Sequence, residues 1–220
     1  MRKMLLKIFM VSKKSPTFSE SINMALKEAM TRDKSMICYG LGINDPKEIF
    51  NTTKDLCRLF GNKRVFDIPT SENALTGVGV GAAISGIRTV MTHQRLDFSL
   101  LSMDQIINSA AKWRYMFGGK VSVPLTIRMI IGRGWGQGPT HSQNLSSIFC
   151  NIPGLKVVMP TFSKDAKRLL ISSIFDPNPV IFLEHRWLHQ IRDKDFINEL
   201  PNKLTYSNVV KKGNDLTIVA

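Results

Sequence analysis

One strand-to-helix junction holds the side chain best placed for chemistry. Residues 65–68 form a short apolar run, and Pro69, which cannot donate to a sheet ladder, marks its end. A polar corner follows at residues 70–73, and its only ionisable side chain is Glu72. Ligands of open α/β proteins bind at the carboxyl ends of strands, so Glu72 is a candidate ligand-binding carboxylate. The alternative is a first-turn acid that complements the dipole of the helix.

The helix predicted after this corner is rich in small residues. Its glycines are Gly77, Gly79, Gly81 and Gly86. Each glycine lowers helix propensity by about 1 kcal/mol relative to alanine. That cost predicts the close approach of another backbone, either a second helix or a partner chain.

The composition fits one ordinary domain. The chain has 220 residues, of which 43% are hydrophobic, enough for a substantial core. Its net charge is +13 and its pI is about 9.9, but the basic residues are scattered and form no long run. This distribution argues against nucleic-acid binding and suits an acidic partner chain or anionic substrates.

Cysteine usage and hydropathy indicate the compartment. Cys38, Cys57 and Cys150 lie far apart, and an odd count without a CxxC pair argues against a disulfide framework. We expect small buried apolar residues in a reducing, cytoplasmic environment. No stretch is apolar and long enough to cross a membrane. Residues 1–16 are interpreted as an N-terminal extension, with a signal peptide as the alternative.

Strand and helix patterns alternate along the chain. A T-x-x-E capping box at Thr17 and Glu20 begins a first helix that ends near residue 32. Further helices are predicted over residues 47–60, 72–86, 98–116, 141–149 and 163–175. Short apolar strands are predicted over residues 36–39, 65–68, 89–92, 124–131, 156–159 and 179–184. This alternation predicts a three-layer α/β fold, a parallel β-sheet with helices on both faces. Residues 216–220 are predicted to begin a further strand.

Five segments in the same order resemble one family. The segments are RVFDIPTSENALTGVGVGAAISG, DFSLLSMDQIINSAAKWRYMFGG, GPTHSQ, PGLKVVMP and DPNPVIFLEH. They resemble the β subunit (E1β) of thiamine-diphosphate-dependent 2-oxoacid dehydrogenases. The resemblance implies the thiamine-diphosphate-binding fold, with a transketolase-like pyrimidine-binding domain over residues 17–190. Residues 191–220 would then be a linker and the start of a missing C-terminal domain.

The resemblance also assigns roles to individual residues. Glu72 matches the catalytic glutamate that hydrogen-bonds N1′ of the cofactor's aminopyrimidine and so assists proton loss from the thiazolium C2. Phe98 matches the aromatic residue that stacks on this ring, and Gln94 borders the cofactor. His141 matches the catalytic histidine that faces substrate and the lipoyl group. Without the resemblance, Phe98 would be interpreted as a core residue and His141 as a helix-capping or surface histidine.

A monovalent cation is a further expectation from the resemblance. The matching positions are Leu125, Ser173, Asp176 and Asn178, whose oxygen atoms hold a structural ion such as K⁺ in some E1β chains. The alternative interpretation of residues 176–179 is an ordinary turn.

The resemblance further implies partner chains. The chain has no Gly-Asp-Gly motif for the cofactor's diphosphate and Mg²⁺, so an E1 α-type subunit would supply that site in an α2β2 heterotetramer. A β–β contact and a lipoyl-bearing E2 are further expected partners. The segment after the first strand departs from the family, because Gly42 and its neighbours replace two acids found in many E1β chains.

Three functions follow from the sequence. The first is a β-type subunit that activates thiamine diphosphate through Glu72 for decarboxylation of a 2-oxoacid. The second is a transketolase-like or acyloin-forming enzyme of sugar or secondary metabolism. The third is a non-catalytic assembly subunit with the same fold.

Overall fold

A six-stranded parallel sheet forms the centre of the protein. The computed structural model describes residues 15–194, 204 and 209–219. The strands are β1 (Ile37–Gly40), β2 (Val65–Phe66), β3 (Thr89–His93), β4 (Leu125–Ile131), β5 (Lys156–Val158) and β6 (Val180–His185). Their order is β2-β1-β3-β4-β6-β5, and every pair is parallel. All strands therefore end at one edge, here named the carboxyl edge, and the predicted α/β class is confirmed.

Helices cover both faces of the sheet. Along the chain they are α1 (Phe18–Arg32), α2 (Leu56–Phe60), α3 (Glu72–Ile84), α4 (Ala111–Met116), α5 (Ser146–Cys150) and α6 (Ser163–Ile174). One apolar core joins α1, α2 and α6 to the sheet through residues such as Leu26 and Leu170. The second core joins α3 and residues 96–116 to the other face through residues such as Ile106 and Ile127. The predicted capping box at Thr17 and Glu20 begins α1.

The helix expected over residues 47–60 is wrong for most of its length. Only Leu56–Phe60 is helical. Residues 48–51 have φ values of 41–66°, the left-handed region, and Asp55 has φ 64°. A right-handed helix excludes such angles, which are costly for residues other than glycine. Within this turn, Ile49 is buried in the first apolar core, and two arginine side chains stack on the ring of Phe50.

Two other predicted helices are interrupted. Residues 98–116 divide into a 3₁₀ segment (Leu96–Ser102), a π segment (Gln105–Ala110) and α4. Residues 141–149 divide into a 3₁₀ turn (Pro139–His141) and α5. The strand expected from residue 216 is not formed by the described residues 216–219, whose apolar side chains are exposed and have no neighbouring strand. Residue 220 lies outside the described residues.

The small-residue helix α3 is closely packed at only part of its length. A Cβ atom at Gly79 would lie 2.4 Å from the Tyr39 hydroxyl oxygen, whereas one at Gly81 would meet nothing within 4 Å. The hydroxyl of Tyr39 donates to the carbonyl of Leu75, 2.6 Å away. The close neighbour of Gly79 is therefore the side chain of a tyrosine from β1 and not the backbone that the sequence predicted, and Gly81 faces open space.

The three cysteines differ in how deeply they are buried. The three cysteines are free, but only Cys38 is buried; Cys57 is half-buried and Cys150 is exposed, which corrects the expectation of three core residues.

Within residues 15–194, 204 and 209–219, no helix has the length and apolar character needed to cross a bilayer. Residues 1–14 of the predicted extension, and residues 195–203 and 205–208 of the predicted linker, lie outside the described part. The domain division therefore stays a prediction.

Candidate functional site

A cleft opens at the carboxyl edge, where the loops after β1, β2 and β3 meet. Leu41 follows β1, the corner of residues 68–72 follows β2, and the end of β3 with Gln94 and Phe98 supplies the remaining wall. Apolar side chains and a few polar groups thus share one concave surface, as in most ligand sites. Three predicted site residues, Glu72, Gln94 and Phe98, lie in this cleft.

Glu72 is the first residue of α3, and its half-buried side chain lines the cleft. Ser71, the N-cap residue of this helix, makes no side-chain capping hydrogen bond. Within the described residues, the Glu72 carboxylate has neither a hydrogen bond nor an ion pair with the protein. The backbone carbonyl of Glu72 accepts from the Thr76 hydroxyl at 2.7 Å. Among the described residues the Glu72 carboxylate thus has no partner, and it is available to bind a ligand that enters the cleft.

Gln94 shapes the cleft by holding the loop after β1. Its side-chain amide donates to the carbonyl of Leu41 at 2.9 Å. Gly42 has φ 76°, and a Cβ atom there would lie 2.2 Å from the Gln94 amide nitrogen. The Gly42 amide in turn donates to Asp67 at 2.9 Å. The left-handed φ of Gly42 and this close contact therefore favour glycine at this position, and sequence reasoning missed the anchoring role of Asp67.

Phe98 connects the cleft to His141. The two rings meet edge to face, with centroids 5.2 Å apart and an interplanar angle of 89°. His141 is held by its neighbours: its carbonyl accepts from the Trp135 indole at 2.9 Å, and its Nδ1 lies 3.1 Å from the Thr140 hydroxyl. The structure thus places His141 beside Phe98, although His141 does not itself line the cleft.

Asp97 is a site residue that sequence reasoning missed. It is buried, and one carboxylate oxygen accepts from both the backbone and the side-chain amide of Gln143, at 3.1 and 2.9 Å. These bonds fix the segment that follows His141 against the segment that carries Phe98. The signal was present in the sequence as an acid beside Phe98, but its partner lies 46 residues later in the chain.

His93, the last residue of β3, is a second missed residue. It lines the cleft with only 4% of its surface exposed, and its Nε2 atom has no hydrogen-bond partner in the described residues. Burial lowers the pKa of His93 to about 4, so the ring is neutral at pH 7. Sequence analysis ended the predicted strand at residue 92; the structure extends it by one residue to include His93.

A buried ion pair lies on the other side of the same strand end. Arg128 and Glu184 are fully buried and form two parallel bonds of 2.6 and 3.0 Å. Burial alone would raise the pKa of Glu184, but the charge and hydrogen bonds of Arg128, together with His189, lower it below its ordinary value. Arg128 also reaches Thr92, which lines the cleft, at 3.4 Å. The pair therefore braces the three central strands beneath the site.

The four cation positions lie at the opposite edge of the sheet. Leu125 begins β4, Ser173 belongs to the last turn of α6, and Asp176 and Asn178 occupy the turn before β6. Asp176 accepts from the backbone and side chain of Asn178 at 2.9 and 3.1 Å, and it also pairs with Lys156. The described residues contain no cluster of three or more His, Cys, Asp or Glu that could hold a metal. The K⁺ site stays a prediction.

Comparisons with known proteins identify the family of this chain. The family model "Transketolase, pyrimidine binding domain" matches residues 14–190. The chain is 39% identical over 209 residues to the acetoin:2,6-dichlorophenolindophenol oxidoreductase subunit beta of Cupriavidus necator, covering 90% of this chain and 62% of that protein. It is 36% identical over 204 residues to the 2-oxoisovalerate dehydrogenase subunit beta of Bacillus subtilis, covering 92% and 62%.

Other relatives extend the comparison. The pyruvate dehydrogenase E1 component subunit beta of Staphylococcus epidermidis is 37% identical over 209 residues, covering 93% of this chain and 63% of that protein. The chain thus spans about three fifths of the length of these relatives. A solved structure titled "Split gene transketolase, inactive beta4 tetramer" superposes with a TM-score of 0.71 at 16% identity, covering 91% of this chain and 61% of that one. This last likeness shows the shared fold.

Proposed function

This chain belongs to the transketolase pyrimidine-binding domain family, and from that premise we propose that it is the β-type half of a thiamine-diphosphate-dependent 2-oxoacid dehydrogenase. The observation that carries the proposal is the carboxylate of Glu72, which has no partner in the described residues and shares a cleft with Phe98 and Gln94. The names of two relatives, a 2-oxoisovalerate dehydrogenase subunit and a pyruvate dehydrogenase subunit, support the same class, and a third relative is named for the hydroxyketone acetoin.

The residues of the cleft fit the aminopyrimidine end of the cofactor. Leu41, Ile68 and Phe98 give apolar contact suited to a flat ring, and Glu72 and His93 offer polar atoms that have no partner in the described residues. Thiamine diphosphate, when bound, supplies the carbon nucleophile and electron sink that decarboxylation of a 2-oxoacid requires. Glu72 would hold the proton shared with N1′ of the aminopyrimidine, which is the general acid–base work of this chain.

The other residues of the site position groups around that proton. Phe98 would support one face of the ring, and Gln94 keeps the Leu41 loop in place as the opposite wall. His141, held by Trp135 and in contact with Phe98, would meet the substrate at the rim. The buried pair of Arg128 and Glu184 keeps the strand ends in register under the cleft.

We further propose that an α-type chain completes the enzyme. It would supply the diphosphate and Mg²⁺ site in an α2β2 heterotetramer with a β–β contact, and a lipoyl-bearing E2 would accept the acyl group. The net charge of +13 suits an acidic partner chain. The free cysteines fit a reducing compartment, and we place the enzyme in the cytoplasm.

Reconstitution tests the proposal. The full chain is copurified with an α-type chain that carries a diphosphate motif, and Mg²⁺-dependent turnover of pyruvate, 2-oxoisovalerate and acetoin is measured with an artificial electron acceptor. We expect turnover by the pair and none by either chain alone. Tight Mg²⁺-dependent binding of thiamine diphosphate by the isolated chain, measured by titration calorimetry, would contradict the two-chain proposal.

A further inference from the structure

His93 is a polar group of the cleft to which the proposed chemistry gives no role. Of the residues that line the cleft, Glu72 and His93 are the two with ionisable side chains. His93 differs from the other polar residues there because Nε2 is buried and has no hydrogen-bond partner in the described part of the chain. Most buried polar atoms in folded proteins have such a partner, so an unpaired one requires an explanation.

The strand geometry sets the direction of the His93 ring. Alternate residues of a strand point to the same face, so His93 shares its face with Met91. The sulfur of Met91 accepts from the Thr76 hydroxyl at 3.4 Å, which places Met91 opposite Thr76 in α3. This is the sheet face that α3 and the segment carrying Phe98 cover.

The same register brings His93 level with Glu72. Two residues along β3 advance about 6.6 Å toward the carboxyl edge. One turn of α3, from Thr76 back to Glu72, advances about 5.4–6 Å toward the same edge, since α3 begins there. The ring of His93 therefore lies across the cleft floor from the start of α3.

We propose that His93 is a ligand-contacting residue that hydrogen-bonds the polar edge of a nitrogen heterocycle through Nε2, beside the Glu72 carboxylate. The ligand class is an aromatic ring that carries adjacent hydrogen-bond donor and acceptor atoms, and its identity as an aminopyrimidine rests on the proposed function. A neutral imidazole has one donor and one acceptor nitrogen, so His93 can adapt its tautomer to the ligand atom that faces it.

The first test observes His93 directly in the reconstituted αβ complex. This chain has four histidines, so ¹⁵N-histidine labelling of this chain alone gives four rings in the complex, and single substitutions assign them. Thiamine diphosphate with Mg²⁺ is the probe. We expect the His93 ring nitrogen signals to move on saturation. A wild-type complex that binds the probe with unmoved His93 signals overturns this assignment and leaves the proposed function standing.

The second test measures affinity. His93→Phe removes the hydrogen bond and should weaken thiamine diphosphate binding roughly two- to twelvefold, whereas His93→Asn, which keeps a donor and an acceptor, should lose less. His185→Phe is the matched control, because His185 contacts Trp187 at the end of β6 and does not line the cleft. Equal affinities for wild type and His93→Phe would overturn the assignment. Failure of the wild-type complex to bind the probe would refute the proposed function and this assignment together.

Discussion

Two glycines of α3 should respond in opposite directions to the same substitution. Gly79→Ala places a Cβ atom 2.4 Å from the Tyr39 hydroxyl oxygen, a separation that forces one of the two groups to move. Tyr39 cannot move freely, since its hydroxyl bonds the Leu75 carbonyl at 2.6 Å and its ring stacks on Phe66 with centroids 5.3 Å apart. Gly81→Ala adds the same methyl group where nothing lies within 4 Å.

The change in the free energy of unfolding for each variant is the sum of a gain in helix propensity and a cost of overpacking. Replacing a helical glycine by alanine stabilises the folded chain by about 0.5–1 kcal/mol, and this gain should appear in full for Gly81→Ala. At Gly79, overpacking costs about 1–3 kcal/mol, and displacement of Tyr39 would forfeit a hydrogen bond worth about 1 kcal/mol. The net effect of Gly79→Ala is a loss of roughly 1–3 kcal/mol.

Urea unfolding of the full chain, followed by circular dichroism, measures both variants. We expect the midpoint of Gly81→Ala to rise and that of Gly79→Ala to fall, with unchanged slopes. A combined Tyr39→Phe, Gly79→Ala variant, which removes the hydroxyl, should recover part of the loss. Stabilisation by both single substitutions would refute the reasoning, because the Tyr39 contact would then place no constraint on α3.

Two further predictions concern buried charge. Arg128→Met removes the arginine partner of the buried Glu184 carboxylate and should destabilise the chain by about 3–5 kcal/mol in urea unfolding. The double change Arg128→Met, Glu184→Leu should recover much of that loss, and equal stabilities of the two variants would contradict this. Burial lowers the pKa of His93 from 6.5 to about 4, so between these pH values the unfolded chain binds a proton that the folded chain does not bind. The free energy of unfolding of wild type should therefore fall by up to roughly 3 kcal/mol as the pH falls from 6.5 toward 4. His93→Phe should flatten this slope, and an unchanged slope in that variant would count against a buried neutral ring.

The sequence predicted the elements whose patterns are local. Short apolar runs ended by Pro69 or followed by polar loops identified the strands, and the capping box at Thr17 located the first helix start. The position of Glu72 at a strand-to-helix junction then predicted the cleft, because strand ends in a parallel sheet share an edge. Gln94 and Phe98 followed from the family resemblance, and both line the cleft together with Glu72.

Features that depend on distant partners were not predictable from local patterns. The left-handed turn at residues 48–51 has a composition that suits an ordinary helix, and its conformation accompanies tertiary contacts of Ile49 and Phe50. Asp97 became a site residue through Gln143, and His93 through its burial at the end of β3 in the wall of the cleft. Asp97 is visible in the sequence as an acid beside Phe98, but the neighbouring residues of neither side chain identify its contacts.

The central claim is that Glu72 serves the bound cofactor and does not serve the helix. The decisive measurement is hydrogen–deuterium exchange at C2 of thiamine diphosphate bound to the reconstituted αβ complex, for wild type and Glu72→Gln. Glu20→Gln is the control, because Glu20 is a first-turn acid whose carboxylate accepts from the Thr17 backbone at 2.7 Å in a capping box.

We predict that Glu72→Gln slows exchange by about 10²–10⁴-fold, the usual value of general acid–base catalysis, at unchanged cofactor occupancy and nearly unchanged stability. Glu20→Gln should exchange at the wild-type rate. Wild-type exchange in Glu72→Gln with full cofactor occupancy, accompanied by a stability loss of about 0.3–1 kcal/mol, would identify Glu72 as a helix-dipole residue and contradict the account.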